Sequence, residues 1–170
     1  MDFLKLVQDR YSCKKYTGEK PSREQLNTIL EAGRWAPTAK NLQEQHVYVI
    51  ESEEALAKID ALTPCRYGAG TVLMVTWDND NVYTYPNSTR QSGAEDAAIV
   101  ATHMMLAAKS VGVDSCWINC LNPEKAAELF GLPENEKVLM LLDLGFPAEG
   151  GRPLANHASR KPLEETVTHL

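Results

Sequence analysis

Residues 92–111 form the longest helix-forming stretch in the chain, and its inward stripe is built from small side chains. Ser92-Gly93-Ala94-Glu95 has the spacing of a capping box, and Gly112 supplies a stop at the other end. Between them Ala97, Ala98, Ala101, Met104, Met105, Ala107 and Ala108 recur at helical spacing. Small residues over several turns let neighbouring backbone approach closely. The stretch therefore predicts a helix at the centre of the fold or at a subunit interface. With 170 residues to arrange around it, the chain is expected to form one domain spanning 1–170.

The remaining elements follow from local signals. Phe3 to Gln8 reads as a short first helix ending near Asp9, which leaves Arg10 to Lys15 as an extended stretch or turn. Ser22-Arg23-Glu24-Gln25 is a second capping box, followed by Leu26, Ile29, Leu30 and Gly33 on one helical face. Pro37 ends that helix at Trp35 or Ala36, because the residue before proline avoids the α region. Pro37 to Gln43 is then a loop. His46–Ile50, Thr71–Trp77, Ser115–Asn119 and Val138–Leu144 read as strands from their β-branched and apolar content. Ser52 opens a helix reaching about Leu62, and Asn122-Pro123 opens another that Gly131 closes. Asp78 to Gln91 reads as a polar surface loop, and Thr166-Val167-Thr168 in the tail as an added edge strand. Helices and strands alternate with uneven connections, which predicts an α+β fold with a mixed, mainly antiparallel central sheet flanked by helices.

Composition removes several functions. A net charge of −6 argues against nucleic acid as a partner, since that needs a dense basic surface. No apolar run approaches the roughly 20 residues that span a bilayer, so no membrane association is expected. Cys13, Cys65, Cys116 and Cys120 form no disulfide framework, and Met1 to Leu6 lacks the apolar run of a secretory leader. The expected location is the cytoplasm.

Chemistry-bearing groups are sparse. Gly68-x-Gly70 precedes a strand instead of following one, the wrong context for a dinucleotide fingerprint. Cys116 and Cys120 have the wrong spacing for structural zinc, and no metal is expected. His46, His103, His157 and His169 read as packing or surface residues, and Cys65 as a buried thiol. No Ser-His-Asp set or carboxylate pair stands out, so an enzyme built on this chain would rely on a cofactor. Two segments remain. Arg10, Ser12 and Lys14 lie two apart, so an extended backbone points all three the same way, where two cations and a hydroxyl suit a phosphate. Read alone, the same stretch is also a solvated basic turn. Pro37, Thr38, Asn41 and Gln43 offer amide, hydroxyl and backbone groups to the polar rim of a flat ring, or simple turn chemistry.

Taken in order, these segments resemble the nitroreductase-like family of FMN-dependent oxidoreductases in its compact form. The resemblance rests on Arg10-x-Ser12-x-Lys14, Arg34-Trp35-Ala36-Pro37-Thr38-Ala39-x-Asn41-x-Gln43, the helix to Val111 with Gly112 to Ile118, Leu144-Gly145-Phe146-Pro147, and a basic residue before Pro162-Leu163-Glu164-Glu165. It implies an intertwined homodimer with FMN at the subunit interface. Arg10, Ser12 and Lys14 would hold the phosphate and ribityl end, joined by Arg160 or Lys161 from the tail. Pro37, Thr38 and Asn41 would come from the partner and line the isoalloxazine, with Gln43 a further cofactor-binding candidate. Cys116, Trp117 and Ile118 would pass behind the ring near N5, and the tail around Thr166 would embrace the other subunit. Lys14, with Arg66 the weaker choice, would be the cation raising the flavin potential. The chain departs from the family pattern at Tyr11, where a second basic residue is frequent, and at Thr38, where serine is usual. Asp78–Gln91 is too short for the helices that cover the flavin in larger members. The implied activity is ping-pong hydride transfer from NAD(P)H to an electron-poor acceptor, a nitroaromatic or a quinone. Reduction of an activated C=C bond, oxidation of a ring by the flavin, a non-catalytic FMN-binding or sensor role, and a ligand-free dimerising interaction domain are the alternatives.

Overall fold

A computed structural model describes residues 2–170. Five helices and four strands follow the expected order: α1 (Phe3–Asp9), α2 (Arg23–Arg34), β1 (Gln45–Ile50), α3 (Glu53–Leu62), β2 (Thr71–Asp78), α4 (Gly93–Ser110), β3 (Asp114–Ile118), α5 (Pro123–Phe130) and β4 (Glu136–Gly145). The strands are ordered β1-β2-β4-β3, and each neighbouring pair is antiparallel. Among the described residues the parallel component is one bridge between Ser12 and Ser115. Among the described residues, no helix is long and apolar enough to cross a membrane.

Alternation along the inner strands sends side chains to two helical layers. On one face Leu73, Val75, Met140, Leu142 and Leu144 pack under Leu26 and Ile29 of α2 and Ala97, Ala101, Met104 and Ala108 of α4. On the other, Val72, Met74, Val138 and Leu141 meet Ile59 of α3 and Ala126 of α5. Asp143, with no exposed surface, is the buried acidic residue of β4, and among the described residues neither of its carboxyl oxygens has a partner.

The small residues of α4 serve α2. A Cβ added at Gly33 would lie 2.8 Å from Met104 Cγ, so the two helices approach as closely as glycine permits. The Ser22 capping box is complete, and the amide of its Gln25 also donates to Val111 O at 2.9 Å, tying the start of α2 to the end of α4. The capping box expected at Ser92 does not form. Its hydroxyl makes no cap bond, because it accepts from Tyr83 N at 3.2 Å and lies 3.5 Å from Glu44 Oε1 instead. Thr166–Thr168 adds no strand; a 3-10 turn, Leu163–Glu165, precedes it, and an edge strand needs a neighbour that one chain does not offer there.

Candidate functional site

α1 is capped by Asp2, whose carboxylate accepts from Lys5 N, and it ends at Arg10, where the backbone turns extended. From there the chain runs beside the start of β3, with Cys13 N donating to Ser115 O at 3.0 Å. Farther on, Tyr16 N donates to Tyr67 O at 3.0 Å and Thr17 N to Phe146 O at 2.9 Å. Period-two alternation buries Tyr11 and Cys13 and turns Arg10, Ser12 and Lys14 outward. Tyr11 fixes this phase, since its hydroxyl donates to Asp114 Oδ2 at 2.8 Å, while Lys109 Nζ holds Oδ1 at 2.9 Å. Burial, then Asp114, raises the Tyr11 phenol far above its ordinary value, so it stays a donor.

The tail folds back onto this segment. His157 Nε2 lies 3.0 Å from Gln8 O, and its ring meets Tyr11 edge-on at 6.4 Å. A cavity of about 190 Å³ results, lined by Arg10, Tyr11, Ser12, Leu154, Asn156, His157 and Arg160. Arg160 is braced by Nη1 donating to His157 O at 2.6 Å and Ser159 O at 2.7 Å. Lys161 is turned elsewhere, 3.7 Å from Glu165 in an exposed pair. Lys14 lies 5.9 Å from the centre of the Tyr67 ring and enters no ion pair among the described residues. Arg66 is engaged: it forks onto Asp60 at 2.7 and 2.6 Å and reaches Ala69 O at 2.6 Å.

Cys116, Trp117 and Ile118 lie on the edge strand β3, whose outer side is bridged to Ser12 at its start. Cys116 and Ile118 point into the α3/α5 layer. Burial first, then Asp143, pushes the Cys116 thiol up to about 11, against the pull of Lys14 and Ser12. Trp117, half-buried, donates to Asn119 Oδ1 at 2.8 Å.

The second segment lies at the other end of α4. Pro37, Asn41 and Gln43 are exposed and Thr38 is half-buried. Thr38 closes the loop on itself, its hydroxyl accepting from Gln43 N at 3.0 Å. Lys40, Asn41 and Gln43 all sit in left-handed backbone, at φ 54°, 56° and 54°. Such a conformation is uncommon outside glycine and persists only where surroundings enforce it. Asp96, in the first turn of α4, supplies one restraint by accepting from Ala39 N at 3.0 Å. The structure thus brings Arg10, Ser12 and Arg160 together and leaves Pro37, Thr38, Asn41 and Gln43 apart from them. Asp96 at one segment and Lys109 at the other are 13 positions apart, or about 20 Å at 1.5 Å per residue.

Sequence reading passed over Tyr11 as an anchor, His157 as a tail clasp and Asp96 as a loop restraint. Burial alternation flags Tyr11; contacts across long stretches of chain leave no local signal for the others.

The three-layer α+β fold thus carries a cationic cavity at one sheet end and a left-handed polar loop at the other. The chain belongs to the nitroreductase family, whose model matches residues 7–71 and 64–146. It is similar to a nitroreductase family protein from Clostridium difficile 630, with 34% identity, a TM-score of 0.93, and coverage of 99% of this chain and 98% of the other. An NAD(P)H-using FMN reductase of Bacillus subtilis is 28% identical over 99% of this chain and 73% of its own length. A structure from Exiguobacterium sibiricum 255-15, solved in complex with FMN, shares the fold at 23% identity and a TM-score of 0.82, covering 100% of this chain and 98% of that one.

Proposed function

We propose that the chain, as one domain over 1–170, is an FMN-dependent oxidoreductase acting as a cytoplasmic homodimer. The observation that carries this reading is the convergence of Arg10, Ser12 and Arg160 on one small cavity. Two guanidinium groups and a hydroxyl around a concave site fit a phosphate dianion, which Arg binds through charge-assisted, often paired hydrogen bonds. Bound FMN would supply two-electron chemistry, taking hydride from NAD(P)H at N5 and passing it to an electron-poor acceptor such as a nitroaromatic or quinone in a ping-pong cycle.

The chain's own part is binding and electrostatics. Arg10, Ser12 and Arg160 hold the phosphate. Lys14 would supply a fixed positive charge that favours the reduced, more negative ring. Cys116, Trp117 and Ile118 offer the edge of β3 to the ring. Pro37, Thr38, Asn41 and Gln43 frame the ring from a second copy, because their own α4 holds them about 20 Å from the basic segment at 1.5 Å per residue. Antiparallel docking of two copies would set each loop beside the other's cations. Exposed Phe3, Leu4, Leu163 and Val167 offer apolar surface for that docking. The four free cysteines suit a reducing compartment.

The test is the visible spectrum of purified protein, with anaerobic titration by NADH and NADPH and a mass measurement in solution. Flavin bands that bleach on titration, in a dimer, are expected. Colourless protein that takes up no FMN overturns the reading.

A further inference from the structure

Two carboxyl groups are buried together beneath the Pro37–Gln43 loop. Glu44 is 3% exposed and Asp96 4% exposed. Each uses one oxygen: Glu44 Oε1 lies 3.5 Å from the Ser92 hydroxyl, and Asp96 Oδ1 accepts Ala39 N–H at 3.0 Å. The other oxygens, Glu44 Oε2 and Asp96 Oδ2, are fully buried and have no hydrogen-bond partner among the described residues. Ser92 brings the two carboxyl groups to neighbouring positions, its hydroxyl lying 3.5 Å from Glu44 Oε1 and its carbonyl accepting from Asp96 N at 2.9 Å. A carboxylate only accepts, so the orphaned oxygens can satisfy one another only if a proton lies between them.

Neighbouring charges leave the pair to itself. Arg90, in the hairpin before α4, forks onto Glu95, which also takes the Tyr85 hydroxyl. Lys40 of the loop sits 4.9 Å from the centre of the Tyr83 ring. At the end of β2, Asp78 accepts from Asn135 and Asp80, and its N–H donates to Glu44 O. Among the described residues neither Glu44 nor Asp96 enters an ion pair.

We propose that Glu44 and Asp96 share one proton, and that this shared proton locks the left-handed Pro37–Gln43 loop onto α4. With the proton in place, the acidic pair is a neutral-plus-anionic hydrogen bond, and Asp96 stays aimed at Ala39 N–H. Once it leaves, two buried anions repel, and the cheapest relief is to move the loop that carries Glu44. The restraint on three unfavourable backbone conformations is then lost. Glu44 and Asp96 are positioning residues, acting on the ring through the loop.

The direction with pH follows. Burial first, then Asp96, pushes Glu44 up to about 7. A raised carboxyl binds its proton in the locked state where the open loop has released it. The lock therefore weakens as pH rises from the ordinary carboxylate range through about 7, and is constant above. Its effect on cofactor binding rests on the reading that this loop frames the flavin.

The experiment measures amide hydrogen exchange of residues 37–43 in full-length, FMN-free protein from about pH 5 to about pH 8, corrected for intrinsic rates. Wild type is compared with Glu44→Gln, whose amide can donate to Asp96 without titrating. Wild-type protection should fall at least about tenfold, the effect of one unit of differential protonation, while Glu44→Gln stays flat. The same pH dependence in both proteins overturns the proposal. Should the variant not fold, the carboxyl ¹³C resonance of Glu44 in wild type decides: titration near neutrality supports the shared proton, and titration in the ordinary carboxylate range overturns it. FMN dissociation constants over the same range form a separate arm. Phosphate ionisation affects both proteins alike, so only the difference between them counts. If protection follows Glu44 while FMN affinity does not, the lock stands and the flavin-framing role of the loop falls.

Discussion

Tyr11 donates its phenolic hydrogen to Asp114 Oδ2 at 2.8 Å, joining the extended amino-terminal segment to the first residue of β3. The bond matters because of its phase. With Tyr11 pinned to Asp114, Arg10 and Ser12 are held beside it at the cavity that all three share with Arg160. A basic residue at position 11 could not make this bond in the same way.

Tyr11→Phe should destabilise the protein by about 1.5–3 kcal/mol, the range for a hydrogen bond to a charged partner. Lys109 still holds the other Asp114 oxygen, so folding should survive. Chemical denaturation checks the stability change, and fluorescence titration the accompanying loss of FMN affinity.

Arg160 and Lys161 should separate cleanly. Arg160 lines the cavity with Arg10, whereas Lys161 belongs to an exposed pair with Glu165. Arg160→Ala should weaken FMN binding by about 1.5–3 kcal/mol, roughly tenfold to more than a hundredfold. Lys161→Ala should stay within about threefold, since exposed pairs contribute little. Equilibrium titration with FMN decides the order.

Asp143 should make stability depend on pH. Burial lifts its carboxyl up to about 8, against the attraction of Arg66. Between the ordinary carboxylate value, about 4, and that raised value, the folded chain holds a proton that the unfolded chain has released. Stability therefore falls as pH rises through this window and levels off above it. Asp143→Asn should remove most of the fall and leave the protein about 1–3 kcal/mol more stable above pH 8. Glu44, whose carboxyl is also raised by burial, contributes to the slope that remains. Urea unfolding across pH measures both.

Gly93 should not accept a side chain. A Cβ there would overlap the indole of Trp77, which packs against the first turn of α4. Gly93→Ala is expected to cost about 1–3 kcal/mol, typical of overpacking. Because Asp96 lies in the same turn, exchange protection of the Pro37–Gln43 loop should fall with it.

Local chemistry made most of the fold legible. Capping residues at Ser22, Ser52 and Asn122 mark helix starts to within a residue, since each cap bond closes within three positions. Strands show through β-branched runs, because both faces of the inner strands are buried. Ser92 failed as a cap because Tyr83 and Glu44, distant in sequence, compete for its hydroxyl. At the candidate site, Arg10, Ser12 and Lys14 were legible as one outward-facing set because alternation in extended backbone is a local rule. The choice of Arg160 over Lys161 was not, as it depends on how the tail turns at His157.

From sequence alone come the order and kinds of element and the basic alternation near the amino terminus, all set by interactions between residues a few positions apart. Tertiary structure alone decided that α4 holds the two segments at opposite ends. It also decided that Arg160 completes the cavity, and that Glu44, Asp96 and Asp143 lie buried without charge partners. Burial and pairing are properties of surfaces brought together across the chain, and a carboxyl group acquires its titration from that environment, not from its neighbours in sequence.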